Sequence, residues 1–173
     1  MRGGIRRVPV FALSIREEGR KLPVSKELLE ELTALAFRLA DREPGDVSLV
    51  VSDDGFIAGL NEKYLDERGP TDVLSFPLRE EPPRRGSPKI RPSRLLSSRL
   101  RSSRSGHLGD IVISLDTADL QAKSMGKTLA EEFRVLYIHG LLHLLGFTHD
   151  AAEDGARMRE IQQSILSGGD IAR

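Results

Sequence analysis

Three observations predict an α+β fold, a small mixed β-sheet with helices packed on it. Strand-like and helix-like stretches follow one another as strand, helix, strand, helix, strand, strand and then helices, which is not the strict alternation of a parallel doubly wound sheet. Prolines bracket one of the strands and mark it as a sheet edge. The last third of the chain holds a long capped helix with histidines four residues apart.

Taken in order, Val8 to Ile15 reads as a first strand. With Arg2 to Arg7 before it, this start faintly resembles a signal peptide, but the apolar part is short, contains Pro9 and runs straight into charged residues. Ser25 caps a helix with Leu28, Leu32, Leu35 and Leu39 at a helical period, ending near Asp41 before Pro44-Gly45. Val47, Leu49 and Val51 alternate with Ser48, Val50 and Ser52 as a strand, and Val50 implies cover on both faces. Asp53 and Asp54 open a short helix with Ile57, Leu60 and Tyr64 on its inner side. Thr71 to Phe76, between Pro70 and Pro77, is the edge strand, and Asp110 to Leu115 is another strand. Thr128 and Glu131 form a capping box for the helix that carries Phe133, Leu136, His139 and His143. Asp150 and Glu153 repeat that device for a final helix with Met158, Ile161 and Ile165 inside.

A chain of 173 residues fits one domain, 1–173, with a core large enough to fold unaided. It has no cysteine, so disulfides, thiolate nucleophiles and cysteine metal cages are excluded, and a metal must be held by nitrogen or oxygen. No stretch approaches the roughly twenty apolar residues that span a bilayer, so no membrane association is expected. Net charge is zero, with 26 basic and 26 acidic residues, which speaks against a generically basic nucleic-acid protein. The distribution is uneven. Residues 79–106 hold nine Lys or Arg against two Glu and are rich in serine, proline and glycine, with too few apolar residues to build a core. The segment is expected to be a flexible basic insert between two strands. Its arginines suit phosphates, although it has no aromatic residue on which a base could stack, and a plain soluble spacer would have the same composition.

The chemistry lies in His139-Gly-Leu-Leu-His143-Leu-Leu-Gly146-Phe-Thr-His149. Residues four apart share a helix face, so His139 and His143 point the same way. Gly146 permits the left-handed turn that stops a helix, and His149 is then brought back to the same point. Three imidazoles leave the double charge of a zinc ion uncompensated and a fourth coordination position open, the arrangement of a catalytic metal. A lone histidine on an apolar helix is more often a hydrogen-bonded core residue, but three of the four histidines fall within eleven residues at usable spacings. His107, the fourth, reads as an ordinary surface or strand-edge residue.

The spacing is that of metzincin proteases, so proteolysis is one reading. Those enzymes place a glutamate after the first histidine to move the proton from metal-bound water to the leaving amine, and this chain has Gly140 there. Glu131 and Glu132 lie two turns back, and Asp110 and Asp150 have no place fixed by sequence. A phosphodiester is an anion, better matched to a dipositive ion with neutral ligands and no adjacent carboxylate. A third reading is a protein without catalysis, whose metal only fastens the last helix.

The block from His139 to Asp150, together with Asn61-x-x-Tyr64, Pro70-Thr71-Asp72-Val73-Leu74-Ser75-Phe76-Pro77 and Gly109-Asp110-Ile111, resembles the YbeY family of ribosomal RNA maturation factors, in the family's order across roughly residues 46 to 166. The resemblance implies a zincin-like metal-binding helix bearing one zinc ion per chain on His139, His143 and His149. It also implies a single-strand-specific endoribonuclease that helps mature the 3′ end of small-subunit ribosomal RNA and takes part in ribosome quality control. Its partners would be ribosomal RNA precursor and the small subunit, in the cytoplasm, and no DNA partner is expected. Imidazole also suits other divalent transition metals. Many members carry an arginine after the tyrosine, where this chain has Leu65; Arg68 is the stand-in for that catalytic or RNA-holding role. Lys63 and Ser75 are weaker site candidates.

Overall fold

The computed structural model describes residues 10–78, 106–148 and 152–168. Four strands, β1 (Leu13–Glu17), β2 (Asp46–Ser52), β3 (Val73–Pro77) and β4 (His107–Ser114), form a sheet in the order β1-β2-β4-β3. The pairs β1–β2 and β2–β4 are parallel and β3 runs antiparallel to β4, so the sheet is mixed and β3 lies at its edge. Among the described residues five helices accompany it: α1 (Lys26–Ala40), α2 (Asp54–Leu65), α3 (Leu115–Ser124), α4 (Leu129–Leu144) and α5 (Ala152–Leu166). Residues 79–105, and with them nearly all of the basic insert, lie outside the described residues.

The sheet separates two apolar clusters. The larger joins Val47, Leu49, Val51, Ile111 and Ile113 to α1, α4 and α5, while Val50, Leu74, Phe76 and Val112 on the opposite face meet Ile57 of α2. Successive strand residues point to opposite faces, which is why Val50 is buried at a position where simple alternation would leave a polar residue. Several helical contacts hold α1 onto α4. Thr33 Oγ1 donates to Leu29 O at 2.6 Å, leaving a lone pair for the Tyr137 hydroxyl, also at 2.6 Å, and both side chains are buried. Burial pushes the Tyr137 hydroxyl well above its ordinary pKa, partly offset by Thr33, so it stays a neutral donor. Thr33→Val should cost about 1–3 kcal/mol, because it orphans that buried hydroxyl, whereas Tyr137→Phe should cost only about 1 kcal/mol. Urea denaturation of the two variants checks the order.

Several expectations shift in detail. The first strand begins at Leu13 and runs into Arg16 and Glu17, charged residues that an exposed sheet edge tolerates. In α1 the buried face is Leu29, Leu32, Leu35, Ala36 and Ala40, while Leu28 is half-buried and Leu39 is 37% exposed, so the period holds with its phase turned. In α2 the fully buried positions are Ile57 and Asn61; Leu60 and Tyr64 pack half-buried at the edge of the smaller cluster. The fourth strand starts three residues earlier than expected, at His107, and Leu115 belongs to α3 instead of to the strand.

Helix α3 has no counterpart in the sequence reading. Its inward residues are Leu115, Ala118 and Ala122, two of them small, and Leu120 is 66% exposed, so its apolar stripe is faint. Local hydrogen bonds define its start. Ser114 Oγ caps Thr117 N at 3.5 Å and donates to Asp54 Oδ1 at 2.5 Å, while Thr117 Oγ1 donates to the same oxygen at 2.7 Å, tying α3 to α2. Partial burial raises the Asp54 carboxyl, but the Ser114 and Thr117 hydrogen bonds outweigh it and hold the group below its ordinary value of 3.8. A depressed folded pKa means stability that is complete above the unfolded pKa and is lost as pH falls through the folded one. Thr117→Val should therefore lower the urea midpoint at pH 7 and lose that effect once the pH is below the folded value.

Candidate metal centre on helix α4

Helix α4 is set by its ends and by one bare patch. The Thr128–Glu131 capping box is present, with Thr128 N donating to Glu131 Oε2 at 2.8 Å and Glu131 N to Thr128 Oγ1 at 3.3 Å. At the other end Gly146 takes φ 90°, and Phe147 N bonds back to Leu142 O at 3.1 Å, closing the turn expected of that glycine. In between, Gly140 lies against the sheet. A Cβ there would stand 2.9 Å from Ile111 Cγ2 and 3.0 Å from Ser75 Oγ, so only glycine lets α4 sit this close to β3 and β4. Ser75 Oγ donates to Gly140 O at 3.3 Å, which makes Ser75 a strand-to-helix link and not merely a solvent-facing residue.

Because Gly140 faces inward, His139 and His143 face the flank next to α5. Their Nε2 atoms approach to 3.0 Å, with the rings at 79° to each other. His139 Nδ1 lies 3.3 Å from Gln162 Oε1 and His143 Nδ1 2.9 Å from the Phe147 carbonyl oxygen. Accepting oxygens at both places favour the proton on Nδ1 and direct the Nε2 lone pairs toward each other. Two lone pairs aimed at each other repel unless a cation lies between them. Two imidazole nitrogens about 2.0 Å from one zinc ion at tetrahedral angles stand roughly 3.3 Å apart, close to the spacing seen. The pair therefore fits a divalent metal. His149 and Asp150 lie outside the described residues, so the third ligand expected from the sequence is not placed. Among the described residues no carboxylate joins the two histidines in a ligand group.

Gln162 escaped the sequence reading, since no short-range spacing tells which residue of α5 meets His139. An outer hydrogen bond of this kind fixes both tautomer and ring orientation. Gln162→Leu should weaken metal binding by about 10- to 100-fold, as read by competition with a chromogenic chelator, while Gln162→Glu should retain it.

The acids considered for the site fall elsewhere. Glu131 belongs to the cap, and Glu132 is buried beside Lys127 at 3.4 Å, seven residues and about 10 Å of helix before His139. Asp110 is cross-strand to Phe76 and two residues from Val112, which places it on the α2 face of the sheet, away from α4. It is buried, 3.4 Å from His107 Nε2, and its Oδ2 has no partner among the described residues. His107 is thus half-buried against Asp110. Leu65 packs on the smaller apolar cluster, and Arg68 is exposed in the connection from α2 to β3 with no ion pair among the described residues. Lys63 is exposed, its ammonium 5.1 Å from the Tyr64 ring centre.

A mixed four-stranded sheet with a paired-histidine helix laid against its edge strand is a zincin-like α+β domain. Comparison with known proteins narrows the class. Residues 14–169 match the family model described as Endoribonuclease YbeY. An Endoribonuclease YbeY of Moorella thermoacetica is 37% identical over 170 residues, covering 92% of this chain and 98% of that protein. One of Aquifex aeolicus is 36% identical over 149 residues, covering 86% of each. A solution structure from Thermotoga maritima matches at TM-score 0.52 with 21% identity, over 88% of this chain and 89% of the other, and shares the fold. The chain belongs to the YbeY endoribonuclease family. No helix among the described residues is long and apolar enough to cross a membrane.

Proposed function

We propose that this chain, as one domain, is a zinc-dependent endoribonuclease that cuts single-stranded RNA and works in the cytoplasm on the 3′ end of small-subunit ribosomal RNA precursors and in ribosome quality control. The observation that carries the reading is the pair of Nε2 atoms of His139 and His143, 3.0 Å apart with both Nδ1 atoms held by oxygen acceptors. Family membership supports RNA as the substrate.

His139 and His143 would hold the ion, with His149 as the third ligand. When bound, zinc supplies Lewis acidity toward a phosphate oxygen and lowers the pKa of water. The protein's share is to keep both rings in one tautomer through Gln162 and the Phe147 carbonyl, and, among the described residues, to group no carboxylate with the two histidines that would repel a phosphodiester. Gly140 supports the same preference for a phosphate ester over a peptide. Where a metzincin has its proton-carrying glutamate, α4 is seated on Ile111 and Ser75. Arg68 is proposed to hold an RNA phosphate in place of the arginine that Leu65 replaces.

Purified protein of known metal content, incubated with precursor small-subunit ribosomal RNA beside the His143→Ala variant, tests the reading when the new RNA ends are mapped. Cleavage within single-stranded precursor by the parent alone is the expected result. Equal cleavage by both, or turnover of casein and not of RNA, would overturn it.

A further inference from the structure

A cavity of about 500 Å³ opens directly beside His139 and is walled by α5. Met158 and Leu166 form its apolar part, the first buried and the second half-buried. Arg159 and Gln163 stand exposed at its rim, Ser167 lies beside them, and Gln162 is shared between the cavity and His139 Nδ1. Three properties of this lining point to one kind of occupant. Its volume lies in the range of ligand clefts, roughly 300–1,000 Å³, and it is open to solvent. Among the described residues its only charged side chain is a cation, and its carboxamides and hydroxyl can both donate and accept. One of its walls is His139, whose ring is proposed to hold the metal, so an occupant lies beside that ring.

We infer that this cavity receives the nucleotide next to the scissile phosphodiester. The inference rests on the endoribonuclease reading above and adds to it where the RNA lies. The base contacts Met158 and Leu166, Gln163 and Ser167 meet its polar edge, and Arg159 pairs with the adjoining phosphate. A guanidinium offers a planar fork of donors suited to phosphate oxygens, which an ammonium at this position would not reproduce. Among the described residues the lining has no Phe, Tyr or Trp, and its one ring, His139, is assigned to the metal, so base discrimination is modest and comes from the amide edge of Gln163. Arg159 is accordingly a substrate-binding residue, and Gln163 one that sets base preference.

Both residues are exposed, so replacing them leaves the core untouched. With a fluorescein-labelled single-stranded RNA decamer, Arg159→Ala should raise KM about five- to tenfold with kcat nearly unchanged and with the bound metal and Tm of the parent. The same loss should appear by anisotropy in a His143→Ala background, where cutting is slow, and the slope of log affinity against log salt should fall by about 0.7, one phosphate contact on a single strand. Gln163→Ala should shift the ranking of four decamers that differ only in the base flanking the cleavage point. If the parent cuts RNA but Arg159→Ala keeps the parent's KM and salt slope, this placement of the RNA is wrong while the nuclease reading stands. If the parent neither binds nor cuts RNA, both fall.

Discussion

His139→Ala should abolish RNA cleavage, lowering the rate on the order of a thousandfold or more, and should leave the protein with little or no bound metal. The ring it removes supplies one of only two imidazole nitrogens that the described residues bring together. On the proposed mechanism, loss of the ligand would remove the Lewis acid from the reaction as well as the positive charge that draws a phosphodiester in. The fold should survive, because His139 is half-buried on the flank of α4, whereas the helix is anchored by Phe133, Tyr137, Ile138 and Leu141, all fully buried. Metal analysis, circular dichroism and a gel assay on one preparation separate the outcomes. Chelator-treated parent should match the variant in rate. A variant that is folded and free of metal yet cuts RNA at the parent rate would remove the metal from the mechanism.

What could be read from the sequence, and what could not, follows from the range of the interactions involved. Helix α4 was legible at both ends because a capping box and a glycine stop are local signals, and its paired histidines because a four-residue spacing maps directly onto one helix face. The edge position of β3 was legible from its prolines. Helix α3 was not, because beyond Leu115 its inner face is made of alanines and its start depends on Asp54, some sixty residues away in sequence. The phase of α1 depends on contact with Tyr137, a partner no periodicity reveals. For the same reason neither Gln162 nor the place of Asp110 is legible, since which face of a sheet or helix meets the two histidines is decided by packing between distant segments. His149 shows the other limit: its spacing predicts a third ligand, and the residue lies outside the described positions.

Gly140→Glu tests whether the missing metzincin glutamate is a matter of chemistry alone or also of packing. If only charge mattered, restoring the carboxylate would give a folded protein with some peptidase activity. The geometry predicts instead that it destabilises the fold by about 4 kcal/mol or more. The first side-chain atom would already stand 2.9 Å from Ile111 Cγ2, 3.0 Å from Ser75 Oγ and 3.4 Å from Val73 Cγ2, and Ile111 is fully buried in the central part of the sheet. Overpacking of this kind costs about 1–3 kcal/mol, and a carboxylate pressed against an apolar strand without a partner adds several more. Domains of this size hold about 5–15 kcal/mol in all. Gly140→Ala separates the two contributions. Alanine gains about 1 kcal/mol of helix propensity over glycine but still meets Ile111 and Ser75, so its net cost should be small, about 0–2 kcal/mol. Urea titrations of the three proteins, with RNA and casein assays on whatever remains folded, should thus show a small step from Gly to Ala, a large one from Ala to Glu, and peptide turnover in none. A Gly140→Glu protein as stable as its parent would mean that α4 does not sit on β3 and β4 as closely as described. The absence of glutamate would then be a choice of chemistry only.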